Sequence, residues 1–260
     1  MKLSAVEGKV AVVTGAAGWI GQAVVLRMLN EGAQVAAVDI DGEGLRQKFT
    51  VQEGLALTIF EADLSNEHEV SHLAHQVIEH YTRVDFLINV AGGELKPNRA
   101  NPDVVVSTGM HPIETIDFDT YWRTVAINLT SAFLSCRAFV PHMKETRGGR
   151  IVNFASFATR NGSIRVGAHY AAAKGGIVGL TKTLALELAP YDITVNALAP
   201  GLIPPGPLDA QAKEMVNRIP LGCEGTPEDI ASVVAVLCSS AGSYTTGTTL
   251  DINGGLYVAP

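Results

Sequence analysis

The stretch Val10-Ala11-Val12-Val13-Thr14-Gly15-Ala16-Ala17-Gly18-Trp19-Ile20-Gly21 decides the fold. A short apolar run leads straight into a glycine-rich turn, and an amphipathic helical pattern follows over 19–31. Glycines between a strand and a helix let the backbone approach a pyrophosphate, while the helix N-terminus presents free N–H groups and a partial positive charge to it. Such a turn occurs in many unrelated chains, so context carries the weight. Here a strand precedes it, a helix follows, and Asp39 ends the next apolar run, eighteen residues past Gly21. A carboxylate at that place accepts the ribose hydroxyls of NAD and repels the 2′-phosphate of NADP. Asp41 adds negative charge, and no Arg or Lys stands in the turn or just after Asp39. NAD is therefore the expected dinucleotide; the alternative is a tight packing turn beside a solvated Asp.

Working outward, apolar runs alternate with helical patterns along the whole chain. The strands expected are Val10–Thr14, Gln34–Asp39, Ala56–Glu61, Val84–Asn89, Gly149–Ala155, Ile193–Leu198 and Thr248–Ile252. Helices are expected near 19–31, 42–52, 66–81, 117–146, 168–190 and 227–239. Several strands are apolar throughout, as in parallel strands covered on both faces. The alternation predicts an α/β fold with a doubly wound, mostly parallel seven-stranded sheet and helices on both faces. No repeat, linker or low-complexity tract divides it, so residues 1–260 are expected to form one domain. Two segments, 93–116 and 199–225, are rich in Gly, Pro or Asn and follow strands. They should overhang the carboxyl edge of the sheet as substrate-side loops, unless they are plain surface loops.

Composition excludes several classes. The chain has 260 residues, is 47% hydrophobic and 17% charged, and carries a net charge of −7. That is a globular composition, and the negative charge with no basic run disfavours nucleic acid. Cys136, Cys223 and Cys238 are scattered, without a Cys-x-x-Cys pair, and suit reduced cytoplasmic thiols. The N-terminus leaves no room for a signal peptide, and no apolar run reaches spanning length. A cytoplasmic protein without a membrane partner is expected.

Tyr170 and Lys174, in His169-Tyr170-Ala171-Ala172-Ala173-Lys174, lie one helical turn apart on a common face. A phenol titrates near ~10, and a fixed cation beside it favours the phenolate. Lowering that value to about 7 takes roughly 4 kcal/mol, whereas an exposed ion pair contributes about 0–1 kcal/mol. A pair used for proton transfer must therefore sit in a water-poor pocket, with 199–225 as its candidate lid. By itself the spacing also fits an ordinary helix-face pair.

Assembled, these motifs resemble those of the short-chain dehydrogenase/reductase family, closest in style to its 3-oxoacyl reductases. The matching residues are Thr14-Gly15 through Gly21, Asp63, Asn89-Val90-Ala91-Gly92, Asn128, Ser156, Tyr170-x-x-x-Lys174, Pro200-Gly201 and Asp251-Ile252-Asn253-Gly254-Gly255. The resemblance implies a single-domain Rossmann fold. It implies Tyr170 as general acid/base, Lys174 as its electrostatic partner, Ser156 as carbonyl orienter and Asn128 as anchor of a water leading from the lysine. It implies an NAD site made from Gly15, Trp19, Ile20, Gly21, Asp39, Ile40, Asp63, Leu64, Asn89, Ala91, Gly92, Tyr170, Lys174, Pro200, Gly201 and Ile203. It also implies a homotetramer or homodimer. Four features depart from the family pattern. Trp19 stands where the second glycine of the turn is usual, Val90 replaces an Asn, and the segment after Gly92 is long. Pro204-Pro205 replaces a Thr after Pro200-Gly201, which leaves backbone groups near Ile203 to meet the nicotinamide carboxamide.

His68-Glu69-Val70-Ser71-His72 spells a zinc signature, with His75 following. However, Val70, Leu73, Ala74 and Val77 form the apolar stripe of that helix, which puts the three imidazoles on its solvated face. No metal is expected there. The substrate is expected to be a small molecule carrying a secondary alcohol or its ketone. Arg165, His111, Lys96 or Arg99 could border its pocket, with Phe157 and Met110 as apolar wall, although such charges are more often solvated. The competing reading is an NAD-binding sensor or scaffold without turnover, and the quartet Asn128, Ser156, Tyr170 and Lys174 argues for the enzyme.

Overall fold

The computed structural model describes residues 6–49, 56–93, 112–163, 166–208 and 210–259. Lys96, Arg99, Met110, His111 and Arg165 lie outside the described residues, as does most of the segment 93–116. Seven described strands form one sheet: β1 (Val10–Thr14), β2 (Gln34–Asp39), β3 (Leu57–Glu61), β4 (Phe86–Asn89), β5 (Gly149–Phe154), β6 (Ile193–Pro200) and β7 (Thr249–Ile252). Their order is β3-β2-β1-β4-β5-β6-β7, and every pairing is parallel. The sheet expected to be mostly parallel is thus wholly so among the described residues.

Both faces are covered. On one side α1 (Trp19–Asn30) and α9 (Pro227–Cys238) bring Val24, Met28, Ile230 and Val234 against Ala11, Val13, Ile88 and Val152. On the other, α3 (Glu67–Tyr81), α5 (Ser131–Thr146) and α7 (Ala168–Leu188) bring Leu73, Phe139 and Leu188 against Val12, Leu87 and Ile151. Successive residues of one strand therefore feed opposite cores, which is why these strands read as unbroken apolar runs. The shorter helices are α2 (Gly42–Lys48), α4 (Phe118–Val125), α6 (Ala158–Asn161) and α8 (Ala210–Val216).

Two expectations change. The single helix expected over 117–146 is three pieces, because a π-helical segment, Ala126–Thr130, separates α4 from α5. The segment 199–225, expected as a loop, contains α8. Cys136 and Cys238 are buried and Cys223 is exposed, all as free thiols.

Chain order reverses at β1. The path runs outward through β2 and β3, then crosses back to β4 on the other side of β1. The crevice beyond the carboxyl ends of β1 and β4 is the place where parallel α/β sheets bind ligands. Beneath it lies a buried polar chain. The Asn89 side-chain amide donates to Asn153 Oδ1 at 2.8 Å, and the Asn153 amide donates to Thr181 Oγ1 at 3.0 Å. These bonds tie β4 to β5 and β5 to α7. Removing the central member leaves buried groups unsatisfied, at about 1–3 kcal/mol each. Asn153→Ala should lower unfolding free energy by roughly 2–4 kcal/mol in urea titrations; a loss under about 0.5 kcal/mol would show the chain to be dispensable.

Candidate active site

A cavity of about 830 Å³ fills the crevice. Its floor is the turn after β1. Gly15 has φ +65°, and a Cβ built on it would lie 2.7 Å from the Ala91 Cα. Only a residue without a side chain lets the β1 and β4 exits approach this closely. Gly18 caps α1 with no side-chain bond, and no acid occupies the first turn of that helix. The first amides of α1 thus remain available at a cavity wall formed by Gly18, Trp19, Ile20 and Gly21.

Asp39, at the end of β2, is held firmly. Its Oδ2 accepts from the Ala17 N–H at 2.9 Å and its Oδ1 from the Asp41 N–H at 3.1 Å. A cation also reaches this corner. Lys48, at the end of α2, donates its Nζ to the Ala17 carbonyl, a contact the sequence did not reveal. Ile40, Ala62, Asp63, Leu64 and Ser65 continue the wall. Asp63 Oδ1 accepts from both the N–H and the hydroxyl of Ser65, at 2.9 and 2.7 Å.

The opposite end of the cavity carries Ser156, Tyr170 and Lys174. Ser156 follows β5, and its Oγ accepts from the Ala158 N–H at 3.2 Å. That bond occupies a lone pair and leaves the hydroxyl proton to be donated elsewhere. Tyr170 and Lys174 lie in the first two turns of α7, and the ammonium is 5.9 Å from the Tyr170 ring centroid. Lys174 is 3% exposed and donates to the Phe154 carbonyl at 2.8 Å. Burial lowers its pKa to about 8. Pro200, Gly201, Ile203 and Pro205 close the cavity from the β6 side.

Asn89 and Asn128, expected at the site, are not on the cavity wall. The Asn89 side chain shares a face of β4 with Leu87, and its amide donates to Asn153 Oδ1 and to Cys136 Sγ. Val90, Ala91 and Gly92 line the cavity instead. Asn128 stands behind the wall, in the π-helical segment. Its Oδ1 accepts from the Gly93 N–H at 2.8 Å, and its amide donates to the Gly93 and Thr124 carbonyls at 3.0 and 2.9 Å. A Cβ on Gly92, whose φ is +125°, would lie 2.5 Å from Asn128 Oδ1. Asn128 thus fixes the path of residues 91–93, which border the cavity. The other residues expected at the catalytic and cofactor sites line it, whereas Phe157, expected as apolar wall of the substrate pocket, does not. Additional wall residues, missed in the sequence, include Ile127, Ser131 and Phe154, whereas Pro205 belongs to the segment 199–225 expected on the substrate side. Ile127 and Ser131, four apart, could have been found by helical spacing around Asn128.

The zinc-like motif lies elsewhere, on the outer face of α3. Its Glu69 carboxylate accepts from the Asp63 N–H at 2.8 Å and from the Asn66 amide at 3.0 Å, so it serves the start of the helix. His68, His72 and His75 are exposed, and no metal-ligating cluster occurs among the described residues.

The lysine generates a prediction. With a folded pKa of about 8 below the ordinary 10.5, the unfolded chain binds more protons between those values, so this group makes stability rise with pH across that window. Relative to Lys174→Met, the wild-type protein should gain stability between pH 8 and pH 10 in urea titrations. Parallel pH profiles for the two proteins would show that the amine is not desolvated.

A family model described as enoyl-(acyl carrier protein) reductase matches residues 15–257. The 3-oxoacyl-(acyl-carrier-protein) reductase of Thermotoga maritima is 35% identical over 97% of this chain and 99% of its own length. The cyclohexanol dehydrogenase of a Rhodococcus strain is 35% identical over 96% of both. A crystal structure of a 3-oxoacyl-(acyl-carrier protein) reductase from Brucella melitensis with bound NAD superposes with a TM-score of 0.87. It is 34% identical, covering 99% of this chain and 94% of that one. The motifs on the cavity wall, the strand order and these relatives agree, and the chain belongs to the short-chain dehydrogenase/reductase family of oxidoreductases.

Proposed function

We propose that the protein is an NAD(H)-dependent oxidoreductase that interconverts a secondary alcohol and its ketone. The carrying observation is that Ser156, Tyr170 and Lys174 share one cavity with the uncapped start of α1. The cavity fits a dinucleotide by its own features. Gly15 leaves a cradle that a Cβ would fill, the first amides of α1 suit a pyrophosphate, and Asp39 stands fixed at the ribose end. Ile40, Ala62 and Leu64 offer apolar surface for adenine, beside Asp63. Gly201 and Ile203 border the nicotinamide end, where Ile203 backbone groups take the role of the absent Thr. The bound NAD of the Brucella relative supports this cofactor.

When bound, the dinucleotide supplies or accepts the hydride. The remaining work belongs to side chains of this chain. Ser156 donates its hydroxyl proton to the substrate oxygen, since its lone pair is already engaged by the Ala158 amide. Tyr170 delivers the proton in reduction and removes it in oxidation. Lys174, buried and cationic below pH 8, favours the phenolate and helps hold the cofactor ribose. Asn128 holds residues 91–93 in place; with its side chain engaged there, its main-chain carbonyl anchors the water through which the lysine recovers its proton. The described part of 199–225, which contains α8, is the lid on the substrate side. The relatives act, by their names, on a 3-oxoacyl thioester and on a cyclic alcohol, and both present a carbonyl or secondary hydroxyl carbon. Phe118, Trp122 and Leu186, 76%, 58% and 82% exposed, supply apolar surface for assembly as a homotetramer or homodimer.

Two outcomes test this reading. Tyr170→Phe should bind NADH within about threefold of wild type by fluorescence and lose at least about 100-fold in kcat; near-normal turnover would remove Tyr170 from the chemistry. Asp39→Ala should narrow the preference for NADH over NADPH by at least about tenfold, or about 1.4 kcal/mol, in kcat/KM. An unchanged ratio would place the discrimination elsewhere.

A further inference from the structure

We propose that Arg160 is a positioning residue for Ser156, acting by clamping the helical turn after the serine onto the last strand of the sheet. The inference rests on the function proposed above and adds a residue that no motif of the sequence singled out. β5 ends at Phe154, but its pairing with β6 continues around the serine. The Ala155 N–H donates to the Leu198 carbonyl at 2.8 Å and the Phe157 N–H to the Pro200 carbonyl at 3.0 Å. Beyond that point α6 is only four residues long. So short a helix cannot hold itself in place. Yet its first amide, that of Ala158, sets the orientation of Ser156 Oγ.

Arg160 supplies the missing restraint. Its Nε donates to Asp251 Oδ1 at 2.9 Å and its Nη2 to the Thr249 carbonyl at 2.7 Å. Thr249 and Asp251 lie two apart on β7, so the planar guanidinium bridges a backbone carbonyl and a carboxylate across two rungs of that strand. The two charged side chains are 22% and 21% exposed, which shields the pair from solvent more than a surface ion pair. The Tyr257 ring lies 5.7 Å from the guanidinium carbon. The same C-terminal segment borders the cofactor end, because Asn253 packs against Gly201 so closely that a Cβ there would sit 2.8 Å from the Asn253 Cα. One arginine therefore joins the serine turn to the strand that also supports Gly201.

The test compares Arg160→Met and Arg160→Lys with wild type in two measurements. The first is hydrogen exchange of the amides of 157–160, which needs no substrate. The second is NADH-driven reduction of ethyl acetoacetate and of cyclohexanone, with NADH affinity measured separately. Arg160→Met should exchange at least about tenfold faster over 157–160 while β1 and α1 stay unchanged. Its kcat should fall at least about tenfold with NADH affinity within about threefold, and Arg160→Lys should recover part of the kcat. Unchanged exchange over 157–160 would overturn the proposal. So would faster exchange with an undiminished kcat, or equal losses in kcat and NADH affinity, which would indicate general damage. If the wild-type protein reduces neither ketone, that result counts against the proposed function, and the exchange measurement alone decides the clamp.

Discussion

The approach of Gly15 to Ala91 is the constraint on which the site depends. Two parallel strands that neighbour each other leave the sheet in different directions at this point, and their exits touch backbone to backbone. A side chain at Gly15 would force the turn off β4. With it would go the position of the first amides of α1 and the bond from Ala17 to Asp39. The cavity is thus a consequence of strand order, sharpened by one residue that occupies almost no space.

A second constraint is electrical. Lys174 is nearly solvent-free, and the only hydrogen bond shown for its amine is to the Phe154 carbonyl among the described residues. Desolvation works against its charge and lowers its pKa to about 8. Lys174 thus stands nearly out of solvent one helical turn from Tyr170, which lines the cavity. A surface pair at the same spacing would shift a phenol very little.

Much of this was legible in the sequence. Parallel strands buried on both faces announce themselves as apolar runs, and β1 and β2 have the bounds expected from Val10–Thr14 and Gln34–Asp39. The turn, Asp39 and the Tyr170–Lys174 pair were readable because local spacing governs them. What escaped depends on tertiary detail. A π-helical segment keeps the composition of an ordinary helix, so nothing in 117–146 marks Ala126–Thr130. The proline-rich look of 199–225 hid Ala210–Val216, although its Ala, Lys, Glu and Met are good helix formers. Asn89 was placed at the cofactor by its motif. Strand alternation, which pairs it with Leu87, sends its side chain beneath the sheet instead. Lys48 and Arg160 act over long sequence separations, and no local pattern reports that.

The most direct measurement follows a label. NADH carrying deuterium at the reactive carbon-4 position, incubated with the wild-type protein and cyclohexanone or ethyl acetoacetate, should deliver that deuterium to the carbinol carbon of the alcohol product. Transfer from one face of the nicotinamide only is the expected result. Tight binding of NADH with no ketone reduced, or an alcohol product that lacks the label whichever of the two carbon-4 hydrogens is replaced by deuterium, would contradict hydride transfer in this cavity.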